Sequence, residues 1–420
     1  MPDETGGTIV MILAGGEGQR LHPLTRDRAK PAVPFGGLYR IVDFPLSNCL
    51  NSGLRRIHLL TQYKSFSLDR HVRRAWGVFS ADLGEYVHPV PPQQRAGGSW
   101  YLGTADAIYQ NVYLLERERP ARVLILAGDH VYKMDYRAML ARHLAAGAAV
   151  TVACVPVERG RARAFGVAQV DGEGRITGFT EKPSDPEEIP GRPGWCLASM
   201  GIYVFETPEL VRRVAGDARR ESAHDFGTNI LPEMVGEGAR VFAYDFGASA
   251  HGAYWRDIGQ IDAYFEANMD LVQVEPELDL YDEAWPIRTH QPQRPPVKSV
   301  FGDLSPGGPG GPGGRAGFAL DSLVSAGCIL SGARAERSVL SPGVHLHSHA
   351  HVEDSILMDD VDIGRGARVR RAIIDKGVRV PAGETIGLEA ARDAERFVVS
   401  PGGVVVVPKE MPFLQEPASR

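Results

Sequence analysis

The chain has few cysteines, no long apolar run and no excess of positive charge. No run approaches the ~18 apolar residues of a membrane helix, so a membrane span is not expected. With 46 basic and 52 acidic residues the net charge is −6, which argues against nucleic acid as a partner. The thiols are widely spaced and match no zinc-binding or redox pattern, so we expect buried, reduced cysteines (Cys49, Cys154, Cys196 and Cys328).

The amino terminus also lacks the features of an export signal. Its first residues, MPDE, are acidic, and they are not followed by the pattern of a positive segment and an apolar stretch. We therefore expect a cytoplasmic protein without a signal peptide. The composition is that of a globular protein, and 420 residues favour two domains.

Short apolar runs alternate with helix-like segments in the first part of the chain. Strands are predicted at 8–13, 56–61, 122–126 and 149–154, and the segment 136–146 has helical spacing. Strands that alternate with helices indicate an α/β fold with a parallel sheet covered on both faces. In such sheets, ligands bind at the carboxyl ends of the strands.

An internal repeat follows a Gly/Pro-rich segment at 305–317, SPGGPGGPGGRAG, which is interpreted as a flexible loop or linker. Beyond it, apolar residues recur every 17 positions, which predicts stacked coils that bury their faces against one another. The phasing resembles the hexapeptide-repeat left-handed β-helix, and a β-sandwich with accidental spacing is the alternative. The clearest sets are Leu323, Leu340, Leu357 and Ile374, and Ile329, Leu346, Ile363 and Val380.

A glycine-rich loop, AGGEGQRL, follows the first predicted strand. Glycines let the backbone approach a polyphosphate with its N–H groups, and Arg20 adds a planar cation suited to phosphate oxygens. Leu21 stands where a dinucleotide-binding motif has its third glycine, and no Walker A lysine follows. A structural turn is the alternative for this loop taken alone. Lys30 and Pro31 follow ten residues after Arg20.

Asp129 follows the third predicted strand, in LAGDHVY. A carboxylate at the carboxyl end of a strand suits a hard cation, and Mg²⁺ usually binds one or two carboxylates together with substrate phosphates. A helix N-cap is the alternative role for Asp129. Asp257, in YWRDIG, is a second candidate, but spacing alone does not link it to Asp129.

The segment FTEKP offers a cation beside a carboxylate, at Lys182 and Glu181. The lysine could bind the phosphate of a sugar phosphate, and the carboxylate could accept hydrogen bonds from ring hydroxyls. Taken alone, the same sequence is also typical of an exposed turn.

Together these segments resemble the sugar-nucleotide pyrophosphorylases, in which GGxGxRL is followed by KP. The motifs occur in the order of that family, and the resemblance covers nearly the whole chain. It implies a Rossmann-like, GT-A-like nucleotidyltransferase domain at 1–275, a connecting segment at 276–317 and a left-handed β-helix domain at 318–410.

The resemblance also implies roles for individual residues. Arg20 and Lys30 are expected to meet the β- and γ-phosphates and to act in catalysis with Asp129, while Asp129 and Asp257 bind Mg²⁺. The implied nucleotide-binding residues are Leu13, Gly15, Gly16, Gly18, Gln94 and Gly103. The implied sugar-phosphate-binding residues are Tyr101, Gly166, Glu181, Lys182 and Ser199.

Several segments resemble the ADP-glucose branch of the family, notably PQQR, WYLGTAD, LSN and WPIRT. Gln94 matches an adenine contact, since an amide can pair with both a donor and an acceptor on the base. Trp100 and Tyr101 are alternatively core aromatics. Asp27 stands where some members carry an activator-binding lysine and would repel a phosphate, so Arg26 or Arg40 is the expected substitute.

The implied reaction is transfer of the adenylyl group of ATP to α-D-glucose 1-phosphate, giving ADP-glucose and pyrophosphate for glycogen or α-glucan synthesis. A homotetramer regulated by sugar-phosphate or nucleotide effectors is also implied. Three alternatives stay open: a nucleotidyltransferase that uses UTP, dTTP or GTP, a non-catalytic regulatory subunit, and a hexapeptide-repeat acyltransferase. The last requires a catalytic histidine, for which the alternating residues are His345, His347, His349 and His351.

Overall fold

The computed structural model describes residues 5–93, 100–248, 254–301, 316–411 and 413. The chain divides into two compact units. The first unit comprises Met1–Gly16, Phe44–Trp255 and Ala284–Ile287; the second comprises Glu17–Asp43, Arg256–Glu283 and Arg288–Arg420. The domain limits given above from the sequence stay a prediction.

A nine-stranded sheet organises the first unit, and all four predicted strands belong to it. Three of them match their predicted limits to within one residue, and the fourth extends further, to Glu158. In chain order the strands are β1 (Thr8–Ala14), β2 (Arg56–Thr61), β3 (Tyr86–Val90), β4 (Arg122–Ala127), β5 (Val150–Glu158), β6 (Gly166–Val170), β7 (Ile176–Glu181), β8 (Trp195–Glu206) and β9 (Val241–Asp245).

The sheet joins a parallel part to an antiparallel part. The strand order is β7-β6-β8-β4-β1-β2-β3, with β5 beside β8 and β9 beside β5. Neighbours from β4 to β3 are parallel, as are β5 and β9, whereas β8 runs antiparallel to β4, β5 and β6. The central strands β1 and β4 are buried apolar runs, as parallel strands covered on both faces require.

Helices connect these strands. The predicted helix is confirmed as α5, which begins at the N-cap Asp135 and ends at Gly147 with a left-handed backbone. The helices are α1 (Asp43–Asn51), α2 (Phe66–Ala75), α3 (Thr104–Tyr109), α4 (Val112–Glu118), α5 (Tyr136–Ala146), α6 (Arg159–Ala162), α7 (Thr207–Asp217) and α8 (Leu231–Gly236). A π-helix spans Phe226–Ile230, and 3₁₀ turns span Ala81–Leu83 and Phe246–Ala248.

In the second unit, three sheets form coils consistent with a left-handed β-helix, and all their pairings are parallel except the antiparallel pair of Val398–Val399 with Val405–Val407. The first sheet contains Lys298–Val300, Ile329–Ser331, His345–Leu346, Asp362–Ile363 and Arg379–Val380. The second contains Phe318–Leu320, Arg334–Glu336, His351–Glu353, Arg368–Arg370 and Thr385–Ile386. The third contains Leu323–Val324, Val339–Leu340, Ile356–Leu357, Ala372–Ile374, Val405–Val407 and Val398–Val399.

The remaining elements of the chain are short. The second unit also contains the helices α9 (Ile261–Asp270) and α10 (Ala390–Arg396), 3₁₀ turns at Gln19–Leu21 and Lys30–Ala32, and a strand pair at Pro34–Phe35 and Tyr39–Arg40. Two further short strands span His130–Tyr132 and Trp255–Asp257.

The predicted 17-residue register holds from the second coil onward, as in the ladder Val352, Val369 and Ile386. The first step is one residue shorter, because Leu323 pairs with Val339. Likewise Leu330, not Ile329, stacks on Leu346. The predicted first members of both sets are therefore wrong by one position. Leu330 is the buried residue, and a slip by one residue would turn it outward.

The four cysteines are buried and unbonded to one another, as predicted. Burial raises the pKa of the Cys49 and Cys154 thiols well above the ordinary value, which keeps them protonated. Within the described ranges, every helix is too short or too polar to cross a bilayer.

Candidate active site

The glycine-rich loop begins at the carboxyl end of β1 in the first unit. Leu13 pairs with Ala127 of the parallel strand β4, so the loops that follow these two strands lie side by side. Gly15 has little room for a side chain, because a Cβ there would lie 3.0 Å from Gln62 Cβ. Around the Cβ position of Gly16, by contrast, no atom of the described chain lies within 4 Å. Its backbone is open, as binding of a polyphosphate requires.

Asp129 lies two residues after the end of β4, in the turn that follows this strand. The amide of Gly128 donates to the Leu13 carbonyl at 2.9 Å, an approach that a side chain at Gly128 would crowd. The Asp129 carboxylate is partly exposed, and its Oδ1 lies 3.7 Å from His130 Nε2. A strand, not a helix, follows, so the alternative role of Asp129 as a helix N-cap is wrong. A partly exposed carboxylate at this edge of the sheet suits a hard cation.

Asn48 fixes the strand that follows Asp129. From α1, its Nδ2 donates to the Tyr132 carbonyl at 3.1 Å. Its Oδ1 accepts a hydrogen bond of 2.9 Å from the indole Nε1 of the buried Trp285. The LSN and WPIRT segments, which only family resemblance had connected, therefore meet in the first unit and support the strand next to Asp129.

Glu181 and Lys182 lie at the end of β7. Lys182 has a left-handed backbone, with φ of +44°, and its amide donates to the Phe165 carbonyl at 3.0 Å. Non-glycine residues hold such a conformation where the surroundings impose it, often at functional sites. The Lys182 Nζ lies 2.7 Å from Glu181 Oε1, yet its side chain is 63% exposed. A cation and a carboxylate are thus presented together to solvent.

The Glu181 carboxylate lies against two glycines. A Cβ at Gly166 would lie 2.7 Å from Glu181 Oε2, and a Cβ at Gly227 would overlap the same oxygen. Both positions therefore need glycine if the carboxylate is to keep its place. Gly166 was expected here from the family resemblance, and Gly227 was not.

Ser199 lies in β8, next to a register shift of that strand against β5. Its Oγ accepts a hydrogen bond of 3.3 Å from the amide of Gly201, which has a left-handed backbone with φ of +67°. A Cβ at Gly201 would lie 3.8 Å from both Ala127 and His130. The irregularity thus brings the Ser199 segment beside the end of β4.

Tyr101 is held by two amide side chains. Its backbone N–H donates to Gln62 Oε1 at 2.9 Å, and its hydroxyl accepts from Asn111 Nδ2 at 3.0 Å. Burial raises the pKa of the Tyr101 hydroxyl, which keeps it a neutral donor. Trp100 is half exposed and stacks on Tyr63, with 5.3 Å between ring centroids, so its alternative assignment to the core is wrong.

Gly103 lies against the backbone of His224, whose carbonyl a Cβ would overlap. The following Thr104 donates its hydroxyl to Asp225 Oδ2 at 2.8 Å, which holds the start of α3 at this place. Close packing against His224 thus explains why position 103 is a glycine, and the nucleotide-binding role of Gly103 stays a prediction. Gln94, the expected adenine contact, lies outside the described residues.

The second unit groups three charged candidates. Lys30 Nζ lies 3.0 Å from Asp257 Oδ1, and the lysine side chain is only 7% exposed. Arg20 Nη2 and Asp257 Oδ1 each lie 3.1 Å from the position that a Cβ at Gly259 would take. Two cations therefore border one carboxylate, and Gly259 makes room for this arrangement.

Gly18 positions this part of the loop. It has a left-handed backbone with φ of +65°, and a Cβ would lie 3.0 Å from Thr25 Cγ2 and 3.2 Å from Lys30 Cβ. The Thr25 hydroxyl donates to the Gly18 carbonyl at 2.9 Å. Glycine at this position therefore permits both the turn and the close packing beside Lys30.

The chain is similar over nearly its whole length to several glucose-1-phosphate adenylyltransferases. Glucose-1-phosphate adenylyltransferase 2 of Alkalilimnicola ehrlichii is 53% identical, over 97% of this chain and 94% of its own length. Glucose-1-phosphate adenylyltransferases of Rhodopirellula baltica and Methylococcus capsulatus are 54% and 51% identical, over 95% and 96% of this chain and 89% and 93% of theirs. The chain belongs to this family.

Two family models agree with that membership. The model described as nucleotidyl transferase matches residues 9–274, and the one described as GlmU-like, C-terminal hexapeptide matches residues 310–407. The predicted family and the predicted fold class are confirmed. Nucleotidyltransferases of this family generally use a divalent metal.

Some residues that shape the site were missed by sequence reasoning. They are polar or small, stand singly in the sequence and act through contacts with distant segments, so no local pattern marks them. They are Gln62, Asn111, Asp225 and Gly227.

Proposed function

We propose that this chain transfers the adenylyl group of ATP to α-D-glucose 1-phosphate, forming ADP-glucose and pyrophosphate. One observation carries the proposal: residues expected to hold phosphate and metal occur in each unit as a carboxylate with neighbouring cations. In the first unit the Lys182 ammonium lies beside the Glu181 carboxylate, and Asp129 presents a partly exposed carboxylate after the end of β4. In the second unit Asp257 lies beside Lys30 and Arg20. The names of the relatives point to the same reaction.

We assign the triphosphate to the glycine-rich loop, Arg20 and Lys30. The open backbone at Gly16 admits phosphate oxygens, and the guanidinium of Arg20 can contact them with two parallel donors. Lys30 already neutralises one carboxylate and is almost fully buried, so its ammonium is held in a fixed position. Fixed cations of this kind stabilise the negative charge that grows on departing pyrophosphate.

Asp129 and Asp257 would hold the divalent metal, which we propose to be Mg²⁺. Both fit a hard cation, because each offers partly exposed carboxylate oxygens. Bound there, the ion would neutralise part of the charge of the triphosphate.

We assign the sugar phosphate to Lys182, Glu181 and Ser199. The exposed Lys182 ammonium can exchange its surface contact with Glu181 for the phosphate, and the carboxylate then becomes available to ring hydroxyls. A phosphate oxygen of the sugar attacks the α-phosphorus of ATP, and the bond from that phosphorus to the pyrophosphate oxygen breaks. The protein supplies position and charge, and no protein nucleophile is required.

A pyrophosphate-release assay tests the substrates. The purified chain alone is given glucose 1-phosphate with ATP, UTP, dTTP or GTP in turn. We expect the highest kcat/KM with ATP. Preference for UTP, dTTP or GTP would instead assign the chain to a sister activity, and inactivity with all four would identify a regulatory subunit.

We further propose a cytoplasmic homotetramer regulated by an anionic effector. Asp27 is paired with Arg26 at 3.0 Å, and Arg26 also donates to the Lys409 carbonyl. Arg40 has a longer ion pair, 3.7 Å to Asp359, and is the better candidate to meet the effector. Sedimentation as a monomer at assay concentration would contradict the tetramer. Full activation of Arg40→Gln by sugar phosphates would contradict the effector contact.

A further inference from the structure

Two histidines and an aspartate cluster on the outside of the β-helix, within the second unit. His345 and His347 flank the fully buried Leu346, so both imidazoles leave the same face of the coil. Asp362 stands in the next coil, at the position paired with His345. None of these residues has a part in the proposed adenylyl transfer.

The distances within this cluster match those of a metal site. His347 Nε2 lies 3.1 Å from Asp362 Oδ1, and His345 Nδ1 lies 3.7 Å from Asp362 Oδ2. The three ligand atoms all lie within 4.8 Å of one another. With bonds of about 2.0 to 2.1 Å, ligands in a tetrahedral zinc site are about 3.4 Å apart, a value between the two observed distances.

A hydrogen bond between His347 and Asp362 does not account for the whole arrangement. At 3.7 Å, His345 Nδ1 is too far from the carboxylate for a hydrogen bond, yet its ring centroid lies only 3.9 Å from that of His347. One possible ligand atom from each of the two imidazoles and the carboxylate thus lies within 4.8 Å of the other two, which is close enough for a shared cation.

The backbone holds the ligands in place. The amide of His345 donates to the Val361 carbonyl at 2.9 Å, and the amide of His347 donates to the Ile363 carbonyl at 3.0 Å. The segment that carries the imidazoles is therefore fastened on both sides to the coil that carries Asp362. The backbone of these residues therefore needs little further ordering when a metal ion binds, which favours high affinity for the ion.

We propose that His345, His347 and Asp362 form a binding site for a divalent transition metal of the zinc type. Imidazole nitrogens favour zinc, cobalt, nickel and copper, whereas Mg²⁺ prefers a shell of oxygens. Three protein ligands leave a coordination position open, and the side chains are partly exposed, so a water or an external ligand completes the shell.

The test titrates Zn²⁺ into the untagged, chelator-treated full-length protein by calorimetry, with excess Mg²⁺ to occupy oxygen-rich sites. His347→Ala and Asp362→Asn are compared with His349→Asn. His349 belongs to the same stretch, but it is exposed and has a left-handed backbone that asparagine tolerates. Substitution of a residue that hydrogen-bonds to a metal ligand typically weakens metal affinity about 10- to 100-fold. Loss of a ligand itself should therefore weaken Zn²⁺ binding more than about tenfold.

Equal Zn²⁺ affinity in all four proteins, or no binding to the parent, would overturn the proposal. A second measurement does not depend on how the variants fold. Crystals of the unaltered protein soaked in Zn²⁺ should show an anomalous peak between His345, His347 and Asp362. A zinc peak elsewhere with none here would equally overturn it.

Discussion

Replacement of Lys182 by alanine is the most informative single change. Before substrate binds, the ammonium is 63% exposed and its contact is the 2.7 Å ion pair with Glu181. Exposed pairs of this kind stabilise by about 0 to 1 kcal/mol, so the lysine is released toward a phosphate at small cost. A charge-assisted hydrogen bond contributes about 1.5 to 3 kcal/mol. A loss of about 2.7 kcal/mol corresponds to a 100-fold rise in KM for glucose 1-phosphate.

The assay is steady-state pyrophosphate release with varied glucose 1-phosphate and saturating ATP. Lys182→Ala should raise the KM for the sugar phosphate and leave the KM for ATP and kcat nearly unchanged, because the contact exists before reaction as well as during it. Lys182→Arg should recover part of the affinity. Arg119→Ala is the matched control, since Arg119 is also an exposed cation with a left-handed backbone, φ of +48°, and caps α4.

Two results would refute the reasoning. One is a fall in kcat without a change in the KM for glucose 1-phosphate. The other is an equal effect of Arg119→Ala, which would trace the loss to the strained backbone instead of the charge.

Three further predictions concern catalysis and stability. Asp129→Asn should lower kcat roughly 100-fold or more with little change in either KM, and a change confined to KM would contradict its assigned role. Arg28→Met should lower the free energy of unfolding in urea by about 3 to 5 kcal/mol, because Arg28 donates to both oxygens of the buried Asp375 and its loss leaves that carboxylate without this partner. The double variant with Asp375→Leu should recover most of the lost stability. Additive losses in the double variant would contradict this argument. Burial lowers the pKa of Lys376 from 10.5 to about 8. The unfolded chain therefore binds more protons between these values, and stability should rise with pH there by up to about 3 kcal/mol, a slope that Lys376→Met should abolish.

The sequence predicted those parts of the fold that depend on local pattern. β1, β2, β4 and α5 are marked by apolar runs or helical spacing, and the repeat by its period. The antiparallel strands β6 and β7 were not predicted, because GVAQV and ITGFTE are short and mixed in polarity, and they form strands through pairing of β6 with β8 and of β7 with β6. The predicted pairing of the first coil with the second was wrong by one residue, because the first step is 16 residues long and nothing in the composition marks the missing residue.

Sequence patterns predict candidate site residues where one motif carries the chemistry, as for Asp129, Glu181 and Lys182, whose roles stay predictions. Such patterns do not show contacts between residues that are distant in the chain. Lys30 and Asp257 are 227 residues apart, and neither sequence context shows that they form an ion pair. The glycine at 227 is explained only by the carboxylate of Glu181 lying against it.

Phosphorus-31 NMR of the purified chain with ATP, glucose 1-phosphate and Mg²⁺ tests adenylyl transfer most directly, because it identifies every phosphorus-containing product. The account predicts equal amounts of ADP-glucose and pyrophosphate, with the glucosyl phosphate bonded to the former α-phosphorus. Formation of ADP and inorganic phosphate, or unchanged substrates in the presence of folded protein, would contradict it.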